Sequence, residues 1–292
     1  MPFFDLDNLI RGAQAIVAGR DPYLLADIFY PLPIYFIFIP FVGLPPLWAH
    51  AIWTMIELLI FVAVLRRRAV AILLFMPVFL TFLMGQIVMP MLGLFALLRQ
   101  GKLGGFAMGW LALKPQMILF IAPWQLWQWW QKDRRQIVWF GFTVGALAIA
   151  AFVVQPDWLV RWLAVSGQRA RAHLSPSVWG LLSFLPVPVW LGLAGVLTLG
   201  VIVWAWRTNT FDLIAIANFL VNPISISYDL TLLTLVPMRL QVWLILVPLS
   251  WICFAINAWR LNEGAFVFTT LAMLVFALRE RRIARSEACP SD

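Results

Sequence analysis

The sequence predicts an all-α, polytopic integral membrane protein of about 11 helical segments, and three observations carry that prediction. Of its 292 residues 63% are hydrophobic and 12% charged, where a soluble domain is roughly half apolar and a quarter charged. Apolar runs cover residues 30–278 almost without interruption, and they lack the polar–apolar alternation of barrel strands. The basic residues gather in short clusters between those runs, as loop anchors at a cytoplasmic face do.

That distribution also explains the net charge of +8, which is therefore no sign of a nucleic-acid partner. Cys253 sits in an apolar run and Cys289 in the tail, a pairing that supports neither a disulfide framework nor a metal site. The first residues, MPFFDLDNLIRG, have no basic start leading into an apolar core and are no signal peptide.

Along the chain, NLIRGAQAIVAG reads as a surface helix ending at Gly19, and RDPY as a turn. The proline-broken run YPLPIYFIFIPFVGLPP reads as a re-entrant or interfacial helix, so that residues 1–46 form an outer loop with juxtamembrane helices. A span over 47–65 follows. Clusters at Arg66–Arg68, Arg99 with Lys102, and Lys132 with Arg134 and Arg135 then recur about every 33 residues. If all face the cytoplasm, the segments 69–98 and 103–131 must leave and return as hairpins, and 208–238 does the same between Arg207 and Arg239. Trp124, Trp127, Trp129 and Trp130 read as an interfacial aromatic belt. The other spans are 136–154, 187–206, 241–259 and 265–278. The chain thus divides into 1–46, a transmembrane part 47–154, an outer loop 155–186, C-terminal spans 187–278 and a cytoplasmic tail 279–292.

Each hairpin has arms of roughly 15 residues, reaching about 22 Å, whereas the hydrocarbon core is roughly 30 Å thick. Their tips should lie within the membrane, where turning backbone is tolerated only against protein or water. The tips carry Gly85-Gln86, Lys114-Pro115-Gln116 and the run NPISISYD with Asn222, Ser225, Ser227, Tyr228 and Asp229. Three polar tips at similar depth suggest one cavity lined by Gln86, Gln116, Asn222, Ser227, Tyr228 and Asp229. A mid-membrane lysine costs roughly 2.5–3.5 kcal/mol even on insertion scales. Lys114 therefore reads as a counter-charge for phosphate, or else as a structural partner of Asp229. Arg169, Arg171 and His173 stand in the loop that parity places outside, against the positive-inside trend; they read as an anion grip or as solvated loop charges. His50 and Glu57 share a helix face as hydrogen-bonded packing groups. No Walker loop, HExxH, GxSxG or metal-ligand cluster is present.

In order and spacing, DLDNLIRGAQAIVAGRDPY (5–23), YPLP (30–33), LP before a tryptophan-bearing helix (44–53), GQ (85–86), LALKPQ (111–116) and NPISISYD (222–229) resemble glycosyltransferase family 87 of the GT-C superfamily. The resemblance implies a membrane mannosyltransferase-like enzyme that takes a hexose from a polyprenyl-phosphate donor to a lipid or glycan acceptor. The fold it implies is GT-C-like, with the active site on the extracytoplasmic side of the cell membrane; the residues call for no cofactor and leave a divalent-metal requirement open. It places the catalytic aspartate at Asp5, with Asp7 next to it, and the donor phosphate near Lys114, Arg169, Arg171 and His173. Leu9 stands where a tyrosine is usual, and Tyr228-Asp229 where a tryptophan/histidine variant is usual. The family also has a span before the aspartate, so the native gene is expected to encode a further N-terminal transmembrane helix. A different class of function, an anionic-lipid transporter or flippase, would use the same tips to line a pathway, although no inverted repeat is evident.

The charge clusters generate a direct test of topology. Cysteines placed at Arg67, Lys102 and Arg134 should resist an impermeant thiol reagent applied from outside, and one at Ser166 should react. Labelling of position 67 from outside would overturn the hairpin scheme.

Overall fold

The computed structural model of the chain describes residues 2–169, 172–260 and 262–288. Among them every regular element is helical: α1 (Phe4–Val17), α2 (Leu32–Phe36), α3 (Pro46–Leu65), α4 (Ala69–Ile72), α5 (Met76–Met84), α6 (Val88–Arg99), α7 (Gly104–Leu111), α8 (Ile121–Lys132), α9 (Arg134–Val154), α10 (Trp158–Arg169), α11 (Val178–Leu181), α12 (Val187–Thr208), α13 (Phe211–Val221), α14 (Leu240–Arg260) and α15 (Phe266–Ala288), joined in places by short 3₁₀ turns.

Among the described residues four helical stretches are long and apolar enough to cross a membrane: Pro46–Ile72, Arg134–Val154, Val187–Thr208 and Leu240–Trp259. These coincide with four of the five single spans read from the sequence. The fifth, 265–278, differs: α15 runs unbroken into Arg279, Glu280, Arg281 and Arg282, and those charges leave it too short an apolar stretch to qualify. The described α-helices number 15 rather than the 11 segments expected, because residues 1–46 and 155–186 contribute α1, α2, α10 and α11, whereas the three hairpins together supply six. Their breaks fall at Gly85-Gln86, around Lys114–Met117 and after Val221, where the polar tips were read. The segment 155–186 is less irregular than its polarity suggests. Trp158 and Trp162, one turn apart, turn inward on the amphipathic α10, and the Trp162 indole donates to the Phe29 carbonyl at 3.0 Å.

The chain forms two compact units, each assembled from separated segments. The first comprises Met1–Val64, Leu80–Ile118 and Gln125–Ala170. Here α1 buries Leu6, Leu9, Ile10 and Ala13, the i, i+3, i+4, i+7 stripe of an amphipathic helix. Asp5 and Asp7 in its first turn complement the helix dipole, and Gly19, at φ +66°, ends it in the left-handed conformation that glycine adopts without penalty. α1 packs on α2 so closely that a Cβ at Gly12 would lie 2.4 Å from the Tyr35 ring. Elsewhere in this unit α7 crosses α9 through a Gly-x-x-x-Gly pair, the small-residue contact that lets membrane helices approach. A Cβ at Gly105 would lie 2.0 Å from the Gln136 carbonyl oxygen, and one at Gly109 2.6 Å from the Thr143 Cβ.

The second unit comprises Leu65–Phe79, Leu119–Trp124 and Arg171–Asp292. Its centre is α13, buried from Leu213 to Val221 and flanked by α12 and α15. Phe75 and Trp243 meet edge to face at 5.5 Å.

Gly105→Ala should lower thermal stability in detergent, because the added methyl meets backbone that must move bodily; overpacking of this kind costs about 1–3 kcal/mol. Gly141→Ala, on α9 with nothing within 4 Å of the added atom, should be neutral or slightly stabilising. Equal melting temperatures for the two variants would exclude the close crossing.

Candidate functional site

Asp5, Gln86 and Lys114, far apart in sequence, come together in the first unit. The N-terminus of α1 is tied to the turn after α5: the Phe3 amide donates to the Leu83 carbonyl at 2.8 Å. Gly85 makes the turn possible on two counts. Its φ of +65° is a glycine conformation, and a Cβ there would lie 2.7 Å from that of Leu6. With the turn pressed against α1, the Gln86 side-chain amide donates to Asp5 Oδ2. Gln86 is fully buried and Asp5 only 8% exposed. Asp5 Oδ1 accepts no hydrogen bond among the described residues.

Tyr30 completes the cluster, and the sequence reading did not single it out. Its hydroxyl donates to Gln86 Oε1 at 3.1 Å, and the Lys114 ammonium lies 6.0 Å from its ring centroid, the outer limit of a cation–π contact. Two other tyrosines fix its backbone: the Tyr30 amide donates to the Tyr35 hydroxyl, and the Tyr23 hydroxyl to the Tyr30 carbonyl. The only signal available was the aromatic residue ahead of two prolines in YPLP. Lys114 itself is 1% exposed, at the break between α7 and the following 3₁₀ turn.

Burial pushes the Asp5 carboxyl above the ordinary carboxylate range; the Gln86 hydrogen bond and the Lys114 charge act in the opposite sense, and the charge of Asp27 adds to the rise. The result is an acid with increased proton affinity that shares an electrostatic field with a buried cation. Asp7, two residues on, has a different setting. Its side chain is half exposed and pairs with His50 Nε2 at 2.7 Å, while the His50 ring stacks on Phe3 at 4.3 Å. His50 and Glu57 are therefore not alike. Glu57 is fully buried on α3 beside Trp53, and neither of its oxygens has a hydrogen-bond partner of good geometry among the described residues. Gln116 is half-buried in the 3₁₀ turn after Lys114.

The residues of NPISISYD belong to the second unit. The Asn222 side chain accepts from the Ile224 amide at 3.0 Å, and its carbonyl accepts from the Ser175 hydroxyl at 2.7 Å. Asp229 accepts from the Ile226 amide at 3.1 Å, capping the 3₁₀ helix Ser227–Leu235, with Tyr228 buried alongside. The Ser227 amide and hydroxyl both donate to Glu263, at 2.7 and 2.9 Å. Glu263, ahead of α15, drew no attention in the sequence because LNEG looks like an ordinary polar loop. Of the loop cations, His173 is exposed in a 3₁₀ turn of this unit. Arg171 and the side chain of Arg169 lie outside the described residues.

Burial, reinforced by the charge of Asp229 and opposed by the two Ser227 hydrogen bonds, pushes Glu263 from its ordinary 4.5 up to about 7. The folded protein thus holds this proton where the unfolded chain releases it. Its contribution is fully present below about 4.5 and is lost as pH rises towards about 7. Melting temperature should fall across that window, with a free-energy slope approaching about 1.4 kcal/mol per pH unit from this group. Glu263→Gln should remove that share of the slope; identical pH profiles for variant and wild type would refute it.

Compared with known proteins, the chain matches no family model, no curated protein and no solved structure.

Proposed function

We propose that the chain is a membrane glycosyltransferase that moves a hexose, in the first instance mannose, from a polyprenyl-phosphate donor to an extracytoplasmic lipid or glycan acceptor. The observation that carries this reading is the cluster of Asp5, Gln86, Tyr30 and Lys114: an acid with raised proton affinity beside a buried cation, with one carboxylate oxygen held and the other unengaged.

The chemistry follows from that arrangement. The acceptor hydroxyl gives its proton to Asp5 Oδ1 while its oxygen attacks the anomeric carbon. The bond from that carbon to the lipid-phosphate oxygen breaks, and its electron pair leaves with the phosphate. Lys114 stabilises the charge that grows there. One displacement inverts the anomeric centre and needs no nucleophilic side chain. Gln86 fixes the carboxylate, and Tyr30 holds Gln86 in turn. Arg169 is proposed as a further phosphate contact, and Gln116 as part of the cavity wall.

With labelled polyprenyl-phosphate mannose, Asp5→Asn should lower turnover by about a hundred- to ten-thousandfold while leaving donor binding nearly intact. Lys114→Met keeps the apolar stem and should weaken donor binding by about ten- to a hundredfold, with turnover falling as well. Full activity of Asp5→Asn would remove the base assignment. Vesicle uptake of the labelled lipid without sugar release would favour a transporter instead.

A further inference from the structure

A cavity of about 520 Å³ lies in the second unit, built from residues the proposed reaction does not use. Its charged lining consists of Arg68, Arg239 and Arg281 with Asp212 and Glu280. Three guanidiniums against two carboxylates leave it positive. Arg239 is committed to Glu280 at 3.1 Å, and Arg68 donates to the Val236 carbonyl at 3.2 Å. Arg281 has no hydrogen bond or ion pair among the described residues. The remaining wall is apolar, from Leu213, Val236, Pro237, Met238 and Ala277.

The position is as informative as the lining. Arg239 directly precedes the candidate span Leu240–Trp259, and Asp212 comes four residues after the end of the candidate span Val187–Thr208. The cavity therefore adjoins ends of two stretches fit to cross a bilayer, the level at which lipid headgroups meet acyl chains. A small soluble anion would use the arginines and leave the apolar wall wet. A phospholipid uses both.

We propose that this cavity binds an anionic phospholipid, its phosphate diester held by Arg281 with Arg68 and its acyl chains lying along Leu213 and Met238. The site is independent of the Asp5 cluster and of the sugar-transfer reading.

The test uses the purified full chain in detergent, exposed to phosphatidylglycerol, phosphatidylcholine or glycerol phosphate and observed by native mass spectrometry. Phosphatidylglycerol should be retained in preference to phosphatidylcholine. Arg281→Gln should weaken that retention about five- to tenfold, while Arg281→Lys keeps most of it. Arg279→Gln, an exposed neighbour outside the cavity, should leave it unchanged. Equal retention of both lipids, or equal loss in Arg279→Gln, would overturn the site in favour of general surface attraction. Displacement of the lipid by equimolar glycerol phosphate would overturn the lipid assignment in favour of a small-anion site. If Arg281→Gln fails to fold, the comparison of Arg281→Lys with Arg281→Met decides: equal retention by both overturns the proposal.

Discussion

A peptide group released from a helix inside an apolar protein must find a hydrogen-bond partner, since leaving it unpaired costs about 1–3 kcal/mol or more. This chain releases many, because its hairpins break their helices far from any chain end. Within the second unit the partners can be named. The Ser250 hydroxyl accepts from the Met76 amide, the Asn218 side chain from that of Phe120, Asn222 from Ile224, Asp229 from Ile226 and Glu263 from Ser227. Freed carbonyls find indoles: Trp251 donates to Leu74, Trp206 to Phe120 and Trp179 to Val221. The irregular backbone and the tryptophan-rich composition are two sides of one requirement.

That requirement separates the buried polar residues by task. Asn222, Asp229 and Glu263 serve the backbone, and their hydrogen bonds would be needed whatever the protein does. The cluster in the first unit is different in kind. The Asp5–Gln86 and Gln86–Tyr30 bonds run from side chain to side chain, and they end on a carboxylate whose other oxygen has no hydrogen-bond partner among the described residues. Polarity within an apolar helix break is thus a weak guide to function on its own. The sharper guide is whether a polar atom remains after the backbone has been satisfied.

This distinction also explains which parts were legible in the sequence. The breaks at Gly85-Gln86, Lys114-Pro115 and Asn222-Pro223 were visible because glycine, proline and polar groups interrupt runs that otherwise have one composition. The four long apolar helices fit to cross a membrane were visible for the same reason. Tyr30 was not, since its role depends on Tyr23 and Tyr35 fixing its backbone, a contact no periodicity encodes. The helical spacing of His50 and Glu57 set them on one face correctly but could not say that His50 reaches Asp7 while Glu57 is enclosed. Trp129 was grouped with an interfacial belt, yet it is buried, and a Cβ at Gly104 would lie 2.9 Å from its ring, while Trp127 and Trp130 are exposed. In each case the missing information was a long-range contact.

The Asp5–Lys114 arrangement is poorly explained as a device for stability. Two desolvated charges seldom return more than their burial costs, and apolar residues of similar volume often do as well. Their coupling has a chemical consequence in the proposed reaction. Lys114 holds down the proton affinity of Asp5, while burial and Asp27 raise it. An anionic donor bound at Lys114 cancels part of the lysine's influence on the carboxylate. The proton affinity of Asp5 then rises when the donor is in place and the acceptor hydroxyl must be deprotonated. As the leaving phosphate gains charge, that cancellation grows, so base strength and leaving-group departure reinforce each other through one ammonium group. Tyr30, with its ring towards Lys114 and its hydroxyl on Gln86, joins the two ends of this coupling in a single side chain.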